Sequence, residues 1–124
     1  EHSVQSMVEF LWPAVANGAT MWGAFDGDPL VGVMVYRPHL TEDTAQLVFL
    51  HVSNSYRRQG IATRLTAECF RLARESGAEQ LYVSATPSES AVGFYQKQGF
   101  RPVDKPHPEL YELEPEDIHM IMKL

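Results

Sequence analysis

Residues 45–77, AQLVFLHVSNSYRRQGIATRLTAECFRLARESG, contain a strand, a polar loop and a helix in direct succession. The first eight residues are almost all apolar, which is typical of a strand buried on both faces. The polar residues Ser53 to Ser55 end that run. From Ile61 the apolar residues recur at helical spacing, which predicts one buried stripe, and Gly77 stands where a glycine commonly ends a helix. The stretch therefore predicts a strand–loop–helix unit of an α/β protein.

The flanking sequence extends this unit into a layered domain. Residues 3–16 predict a helix, because Val4, Met7, Val8, Leu11 and Val15 share one helical face. A second helix is predicted up to Gln98, with Thr86 as its cap, Pro87 at its first position and Glu89 completing a capping box. The remaining predicted elements are strands at 21–25, 30–36, 80–85, 100–103 and 118–124, and a loop rich in proline and acid at 104–116. This order predicts one α/β domain over residues 1–124.

Composition limits the functions that the chain can have. Its 124 residues carry a net charge of −6, which argues against a nucleic acid partner because nucleic-acid-binding faces are basic. No apolar run approaches the ~18 residues of a membrane span, so we expect no membrane partner. Cys69 is the only cysteine and lies within the apolar helical pattern. We therefore expect a buried thiol, no disulfide framework and a reducing, cytoplasmic compartment.

Half of the basic residues are concentrated in one segment. Five of the ten lysines and arginines are arginines between Arg57 and Arg74, where Glu68 is the single acid. A helix N-terminus offers unpaired N–H groups and partial positive charge, and Gly60 places no side chain where backbone would approach a phosphate. The segment predicts a local anion site; a plain strand-to-helix turn with solvated arginines is the alternative. Neither common nucleotide-binding glycine motif, G-x-x-x-x-G-K-[ST] or G-x-G-x-x-G, occurs.

Two motifs resemble those of a known family. Residues 50–65, LHVSNSYRRQGIATRL, are similar to the acetyl-CoA motif of the GNAT acetyltransferases, whose core is Arg/Gln-x-x-Gly-x-Gly/Ala. One strand later, residues 91–100, AVGFYQKQGF, are similar to the family's Ala-x-x-Phe-Tyr-x-Lys-x-Gly-Phe helix and turn. The resemblance implies a mixed, mostly antiparallel central sheet, flanked by helices, with splayed central strands. It also implies that the single acetyltransferase domain lacks the family's usual first strand and helix.

The implied activity is direct transfer of the acetyl group of acetyl-CoA to an amine of a small molecule or protein, in a ternary complex and without a metal. The amide of Val52 would stabilise the oxyanion. Tyr95 would protonate the departing thiolate, a roughly balanced transfer from a pKa of ~10 to one of ~8.5. The backbone from Arg57 to Ala62 would hold the CoA pyrophosphate, and the strand ending at Val52 would pair with the pantetheine arm. The implied cofactor-binding residues are Leu50, His51, Val52, Arg57, Arg58, Gln59, Gly60, Ile61, Ala62, Thr63, Ser88, Phe94 and Tyr95.

Two positions depart from the family pattern. Gln46 occupies the strand position where several members place the Glu or His that deprotonates the amine, and glutamine cannot act as a base. Glu42, Asp43 or Glu112 would then substitute, or the amine would arrive already neutral. Ser88 replaces a frequent asparagine, which implies a weaker or different contact with CoA.

Other functions remain open at this level. A non-catalytic CoA-binding or sensor domain agrees with Gln46 but not with Tyr95. A small interaction domain could dock a basic partner through the five acids between Glu109 and Asp117; if these acids line the acceptor cleft instead, they favour cationic amines.

Some aromatic residues also have a purely structural interpretation. His51 fits a partly buried strand residue hydrogen-bonded to a neighbour, and Tyr95 fits a ring packed beside Phe94 and Phe100. The candidates for an acceptor wall, each of which could equally pack in the core, are Phe10, Trp12, Trp22 and Tyr111. A second subunit of a homodimer could complete such a wall.

Overall fold

The computed structural model describes residues 6–10 (backbone only), 18–57 and 60–124. The strands are β1 (Ser6–Phe10), β2 (Thr20–Phe25), β3 (Leu30–Arg37), β4 (Thr44–Val52), β5 (Gln80–Ala85), β6 (Arg101–Pro102) and β7 (Ile118–Lys123), and the helices are α1 (Ile61–Glu75), α2 (Glu89–Gln98) and α3 (Pro108–Leu113). The strands of this described part form one sheet in the order β1-β2-β3-β4-β5-β7-β6. Only the β4–β5 pair is parallel among them. The predicted mixed, mostly antiparallel sheet with flanking helices is confirmed.

Helix α1 packs against β3 and β4 through the apolar stripe that the sequence predicts. Ile61, Leu65 and Cys69 of that stripe are buried. Burial raises the pKa of the Cys69 thiol to about 12, so the thiol stays protonated and unreactive at neutral pH. Gly77 follows the helix with φ of +83°, the left-handed conformation that suits a glycine at a helix end. Among the described helices, none has the length and apolar character needed to cross a membrane.

Gly32 of β3 marks a close approach between the sheet and α1. A Cβ atom at this position would lie 3.0 Å from Leu65 Cδ1 and 3.1 Å from Ile61 Cγ2. We expect Gly32→Ala to lower the free energy of unfolding by about 1–3 kcal/mol, because the extra methyl overpacks this interface. Denaturant unfolding measures the change. The control is Gly93→Ala in α2, where no such neighbour lies within 4 Å. It is expected to gain about 0.5–1 kcal/mol from helix propensity; a Gly32→Ala protein as stable as wild type would contradict the tight contact.

The predicted N-terminal helix is wrong for residues 6–10, which form β1. This strand pairs antiparallel with β2, in a register that runs from Ser6 opposite Phe25 to Phe10 opposite Met21. The apolar residues of so short a segment fit the spacing of a helix and that of a strand. Here pairing with β2 satisfies the backbone N–H and C=O groups. The rest of the predicted helix, residues 3–5 and 11–16, lies outside the described residues.

The loop predicted at 104–116 is wrong for residues 108–113, which form α3. Pro108 occupies its first turn, where a missing N–H costs nothing. Leu110 of this short helix is buried against Leu40 and Tyr82 in a second apolar cluster. Six residues are too few for a helical period to be detected, and the packing of Leu110 decides the conformation.

Strand β4 is buried on both faces only in its first half. Thr44 to Leu47 are buried, whereas Val48 and Phe49 are 45% and 52% exposed, so the predicted burial is wrong for the second half. Val48 is an extra residue in the ladder, because Val35 pairs with Phe49 and Tyr36 with Leu47. Such a bulge shifts the alternation of side chains, so that residues on both sides of it, such as Leu47 and Leu50, pack in the same core.

The N-terminal cap of α2 is Ser88, and the predicted capping by Thr86 is wrong. The backbone of Ser88 is extended, and its Oγ accepts the N–H of Ala91 at 3.2 Å. The helix therefore begins at Glu89, and Pro87 precedes it. A serine cap is as favourable as a threonine one, so local propensity does not choose between them.

Candidate functional site

The two central strands diverge at one end of the sheet. β4 pairs with β5 only from Thr44–Gln80 to Leu47–Val83, although β4 continues to Val52 and β5 to Ala85. The loop after β4 leads into α1, and the loop after β5 leads into α2. The opening between the strands is therefore flanked by the N-terminal ends of both helices.

A cavity of about 1030 Å³ occupies this opening. The predicted cofactor-binding residues that the structure describes all line it: Leu50, His51, Val52, Arg57, Gly60, Ile61, Ala62, Thr63, Ser88, Phe94 and Tyr95. Arg58 and Gln59 lie outside the described residues. Lining residues that the sequence interpretation missed are Phe49, Tyr56, Thr86, Ser90, Ala91 and Lys97. Lys97 and Ala91 belong to the second motif, which was the available signal for them.

The charge of the cavity wall differs from that of the whole chain. The described lining residues include the cations Arg57 and Lys97 and no carboxylate, although the chain carries a net charge of −6. Gly60 is the N-cap residue of α1, with φ of +81°, and it has no side chain with which to cap the helix. Its first turn contains no acidic residue. The wall can therefore bind an anion through backbone N–H groups and nearby cations.

The edge of β4 facing the cavity is open beyond Leu47. The N–H of Ser53 donates to Val31 of the neighbouring strand at 2.9 Å. Successive backbone groups of a strand point to opposite sides, so the N–H and C=O groups of Val52 and Leu50 point away from β3 and into the opening. The side chain of Val52 is buried in the core. This edge can accept an extended chain as an added strand.

Tyr95 of α2 lines the same cavity. Its ring is 8% exposed and packs edge-on against Phe94 and Phe100, at centroid distances of 5.3 and 5.4 Å. The structural interpretation of a packed ring is thus correct, and it is compatible with a chemical role for the hydroxyl. Burial raises the pKa of Tyr95 to about 12, and the nearby Cys69 adds to this. The hydroxyl therefore remains a proton donor throughout the neutral range.

Ser88 and His51 lie on opposite sides of the opening. Ser88 uses its Oγ as the acceptor that caps α2, which leaves its hydroxyl hydrogen as a donor. The side chain of His51 is exposed and its ring stacks on Phe49, with centroids 6.3 Å apart. The interpretation of His51 as a partly buried, hydrogen-bonded residue is therefore wrong.

The acids that could replace the family's base are not in the cavity wall. Glu42 and Asp43 line a separate depression with Gly77 at the other end of β4. The Asp43 carboxylate accepts hydrogen bonds from the Thr44 and Thr41 hydroxyls, which lower its pKa and make it a weaker base. Glu112 is exposed on α3.

The predicted acceptor-wall residues have different environments in the structure. Trp22 packs against the core, whereas Tyr111 is about half exposed. Trp12 and the side chain of Phe10 lie outside the described residues. Gln46 is buried, at 5% exposure, and does not line the cavity.

Comparisons with known proteins agree with this geometry. The sequence profile of the family described as "Acetyltransferase (GNAT) domain" matches residues 2–124. Human N-acetyltransferase 8 is 35% identical over 90 residues, which are 68% of this chain and 40% of that protein. N-alpha-acetyltransferase 50 of Danio rerio is 28% identical over 104 residues, covering 81% of this chain and 62% of that protein. The chain thus spans less than two thirds of the length of either relative.

Solved structures have the same fold at low sequence identity. A GNAT family acetyltransferase from Elizabethkingia anophelis with acetyl-CoA bound has a TM-score of 0.72 at 21% identity, over 86% of this chain and 77% of that one. An IAA acetyltransferase from Bacillus cereus has a TM-score of 0.74 at 21% identity, over 96% of this chain and all of that one.

Proposed function

The chain belongs to the GNAT acetyltransferase family, and we propose that it transfers the acetyl group of acetyl-CoA directly to an amine while both substrates are bound. The observation that carries the proposal is the cavity between β4 and β5. It combines cationic residues, an uncapped helix N-terminus, an open strand edge and the Tyr95 hydroxyl. An anionic, extended thioester matches each of these features.

Under this proposal, different parts of the cavity wall bind different parts of acetyl-CoA. The backbone from Arg57 to Ala62, including Arg58 and Gln59, holds the pyrophosphate at the N-terminus of α1, and Lys97 adds charge. The edge of β4 from Leu50 to Val52, which β5 does not cover, pairs with the pantetheine arm. The Val52 carbonyl oxygen already accepts Arg57 Nε at 3.5 Å, so the arm pairs with the Val52 N–H and with the backbone groups of Leu50. The small Ala62 and the aromatic Phe94 border the remaining cavity wall.

The chemistry needs stabilisation of two developing charges. The Val52 amide points into the opening and donates to the carbonyl oxygen as the amine attacks. The Tyr95 hydroxyl donates to the sulfur as the carbon–sulfur bond breaks, since burial keeps it protonated. The acceptor is a primary amine of a small molecule or a protein, and the relatives named N-alpha-acetyltransferases support the protein option.

Thiol release provides the direct test. The purified chain is mixed with acetyl-CoA and a panel of amines that includes polyamines, amino sugars and peptides with free N-termini. We expect free thiol to appear only when enzyme, acetyl-CoA and a productive amine are all present. CoA binding without thiol release for any amine would contradict the enzyme and favour a non-catalytic CoA-binding domain.

A further inference from the structure

The turn between β2 and β3 contacts the loop that leads from β4 into α1. Asp26 begins this turn, and its backbone N–H donates to the carbonyl oxygen of Pro29 at 3.1 Å. The hydroxyl of Tyr56 donates to Oδ2 of Asp26 at 2.8 Å, although 30 positions of sequence separate the two residues. Tyr56 lines the cavity, whereas Asp26 does not. The carboxylate is thus placed behind the cavity wall and contacts it through Tyr56.

Tyr56 connects the start of this loop to the rest of the fold. It ends a short helical turn, Asn54–Tyr56, in which no residue is buried. The N–H of Tyr56 donates to the carbonyl oxygen of Ser53 at 2.8 Å, within the turn itself. The N–H of Arg57 likewise donates to Asn54 at 3.3 Å. Beyond these local bonds, the ring of Tyr56 packs against the core and its hydroxyl bonds Asp26.

The position of Tyr56 bears on the backbone that is proposed to hold the pyrophosphate. Residues 57–60 are the whole connection from Tyr56 to Ile61, the buried first residue of α1. Fixing both ends of so short a connection limits the conformations that its backbone can adopt. A loop that is ordered before binding spares the ligand the entropy cost of ordering it. The side-chain bond of Tyr56 therefore favours binding at the N-terminus of α1.

The bond between Tyr56 and Asp26 is of a strong kind. An O–H group that donates to a carboxylate forms a charge-assisted hydrogen bond, which is stronger than one between neutral groups. The bond raises the pKa of Tyr56 above its usual value, and partial burial adds to this. The hydroxyl therefore remains protonated, and a donor, throughout the neutral range.

We propose that Asp26 is a positioning residue for the pyrophosphate of CoA: by holding the Tyr56 hydroxyl, it fixes the loop before α1 in the conformation that binds the two phosphates. The inference rests on the proposed function and adds to it a residue outside the cavity. Asp26 also lies outside both motifs, at 50–65 and 91–100, so no local sequence signal indicates its role.

Tyr56→Phe tests the bond, because phenylalanine keeps the packed ring and removes only the hydroxyl. We expect the Kd of CoA to rise about 10-fold. Calorimetric titration with two fragments of CoA locates the loss. ADP, which carries the two phosphates, should lose affinity by a similar factor, whereas pantetheine, which carries none, should bind as it does to wild type. Tyr36→Phe is the matched control, since it removes a hydroxyl with a bond of the same 2.8 Å length near the other end of α1.

Variants of Asp26 test the other partner of the bond. Asp26→Asn keeps an oxygen that can accept the Tyr56 hydroxyl, so it should retain most of the affinity for CoA. Asp26→Ala should weaken CoA binding about 10-fold, although removing a negative charge by itself would strengthen the binding of an anion. The double variant Asp26→Ala/Tyr56→Phe should lose no more than either single variant, because all three lack the same bond.

Three binding results would overturn the positioning role. The first is an unchanged Kd of CoA in a folded Tyr56→Phe protein. The second is an equal loss for ADP and pantetheine, which indicates a general structural role. The third is a double variant whose loss is the product of the two single losses, which shows that Asp26 and Tyr56 act independently.

Hydrogen exchange tests the loop without any ligand. We expect the N–H of Arg57 to exchange faster in Tyr56→Phe than in wild type, and equal exchange would contradict the positioning of the loop. None of these measurements needs turnover. If no amine supports thiol release, the proposed transfer is wrong, while CoA binding still decides the role of Asp26. A wild-type chain that binds neither CoA nor ADP would overturn both.

Discussion

Replacing Tyr95 by phenylalanine is expected to lower kcat by about 10²–10³-fold, the usual cost of removing one donor to a developing charge. Phenylalanine keeps the edge-on ring contacts with Phe94 and Phe100, so the fold and the CoA affinity should change little. Thiol release at saturating acetyl-CoA measures kcat, and titration with CoA measures affinity.

The raised pKa of Tyr95 specifies how its hydroxyl can act. Burial raises this pKa to about 12, whereas a free thiol has a pKa near ~8.5, so complete transfer to the thiolate is uphill by roughly 5 kcal/mol. The balanced transfer expected from ordinary pKa values is therefore wrong. The hydroxyl acts as a hydrogen-bond donor, and its proton moves only as the surplus amine proton replaces it. Because a required acid fails only above its pKa, Tyr95 should cause no fall in rate below about pH 11.

Tyr36→Phe is the matched control for Tyr95→Phe. Tyr36 is also a buried tyrosine with a raised pKa, caused mainly by burial, but its hydroxyl bonds Ser76 Oγ at 2.8 Å near the C-terminal end of α1. We expect a loss of about 1 kcal/mol in stability and an unchanged kcat. If Tyr95→Phe also retained its kcat, Tyr95 would have only a packing role.

The second large effect is expected for Gly60→Asp at the N-terminus of α1. Gly60 has φ of +81° and open space where a Cβ atom would lie, and aspartate tolerates this backbone conformation better than most residues. The new carboxylate would face the phosphates of CoA. At a separation of ~5 Å and an effective dielectric of about 20, one pair of charges repels by about 3 kcal/mol, which predicts a roughly 100-fold higher Kd. Equilibrium binding of CoA at two salt concentrations measures this, since screening should reduce the difference.

Gly77→Asp isolates the charge effect from the backbone effect. Gly77 follows the other end of the same helix with φ of +83° and equally open surroundings. Both variants therefore have similar backbone strain, but only Gly60 lines the cavity. We expect Gly77→Asp to bind CoA as wild type does. A similar loss of affinity in the two variants would indicate that helix stability, rather than a phosphate site, explains the result.

Local sequence was sufficient to predict the helices that carry the two motifs. A glycine before an amphipathic helix and the Phe-Tyr pair on the next helix are short-range features, and the elements that carry them form where the sequence predicts them. The proposed anion site rests on the same local physics, because unpaired N–H groups at a helix N-terminus arise wherever the helix begins. The roles assigned to the site residues, Arg58 and Gln59 among them, stay predictions.

The wrong predictions concern segments whose apolar residues do not distinguish helical spacing from strand spacing. Residues 6–10 pair with β2, and α3 forms around the buried Leu110, so distant contacts choose between the available conformations. The bulge at Val48 likewise depends on the register with β3 and exposes Phe49 beside the cavity. None of these contacts lies within the short window that a periodicity test covers.

The glycine at position 60 and the helix that follows it could be predicted from the sequence alone, because glycine geometry and helix amphipathicity act within a few residues. The tertiary structure alone decided that β5 leaves β4 after Val83, and that β7, distant in sequence, pairs with the other side of β5. The reason is that a sheet joins strands by hydrogen bonds regardless of their separation along the chain. The motifs of the proposed donor site are thus local features of the sequence, whereas the opening between β4 and β5 exists only once the sheet has formed.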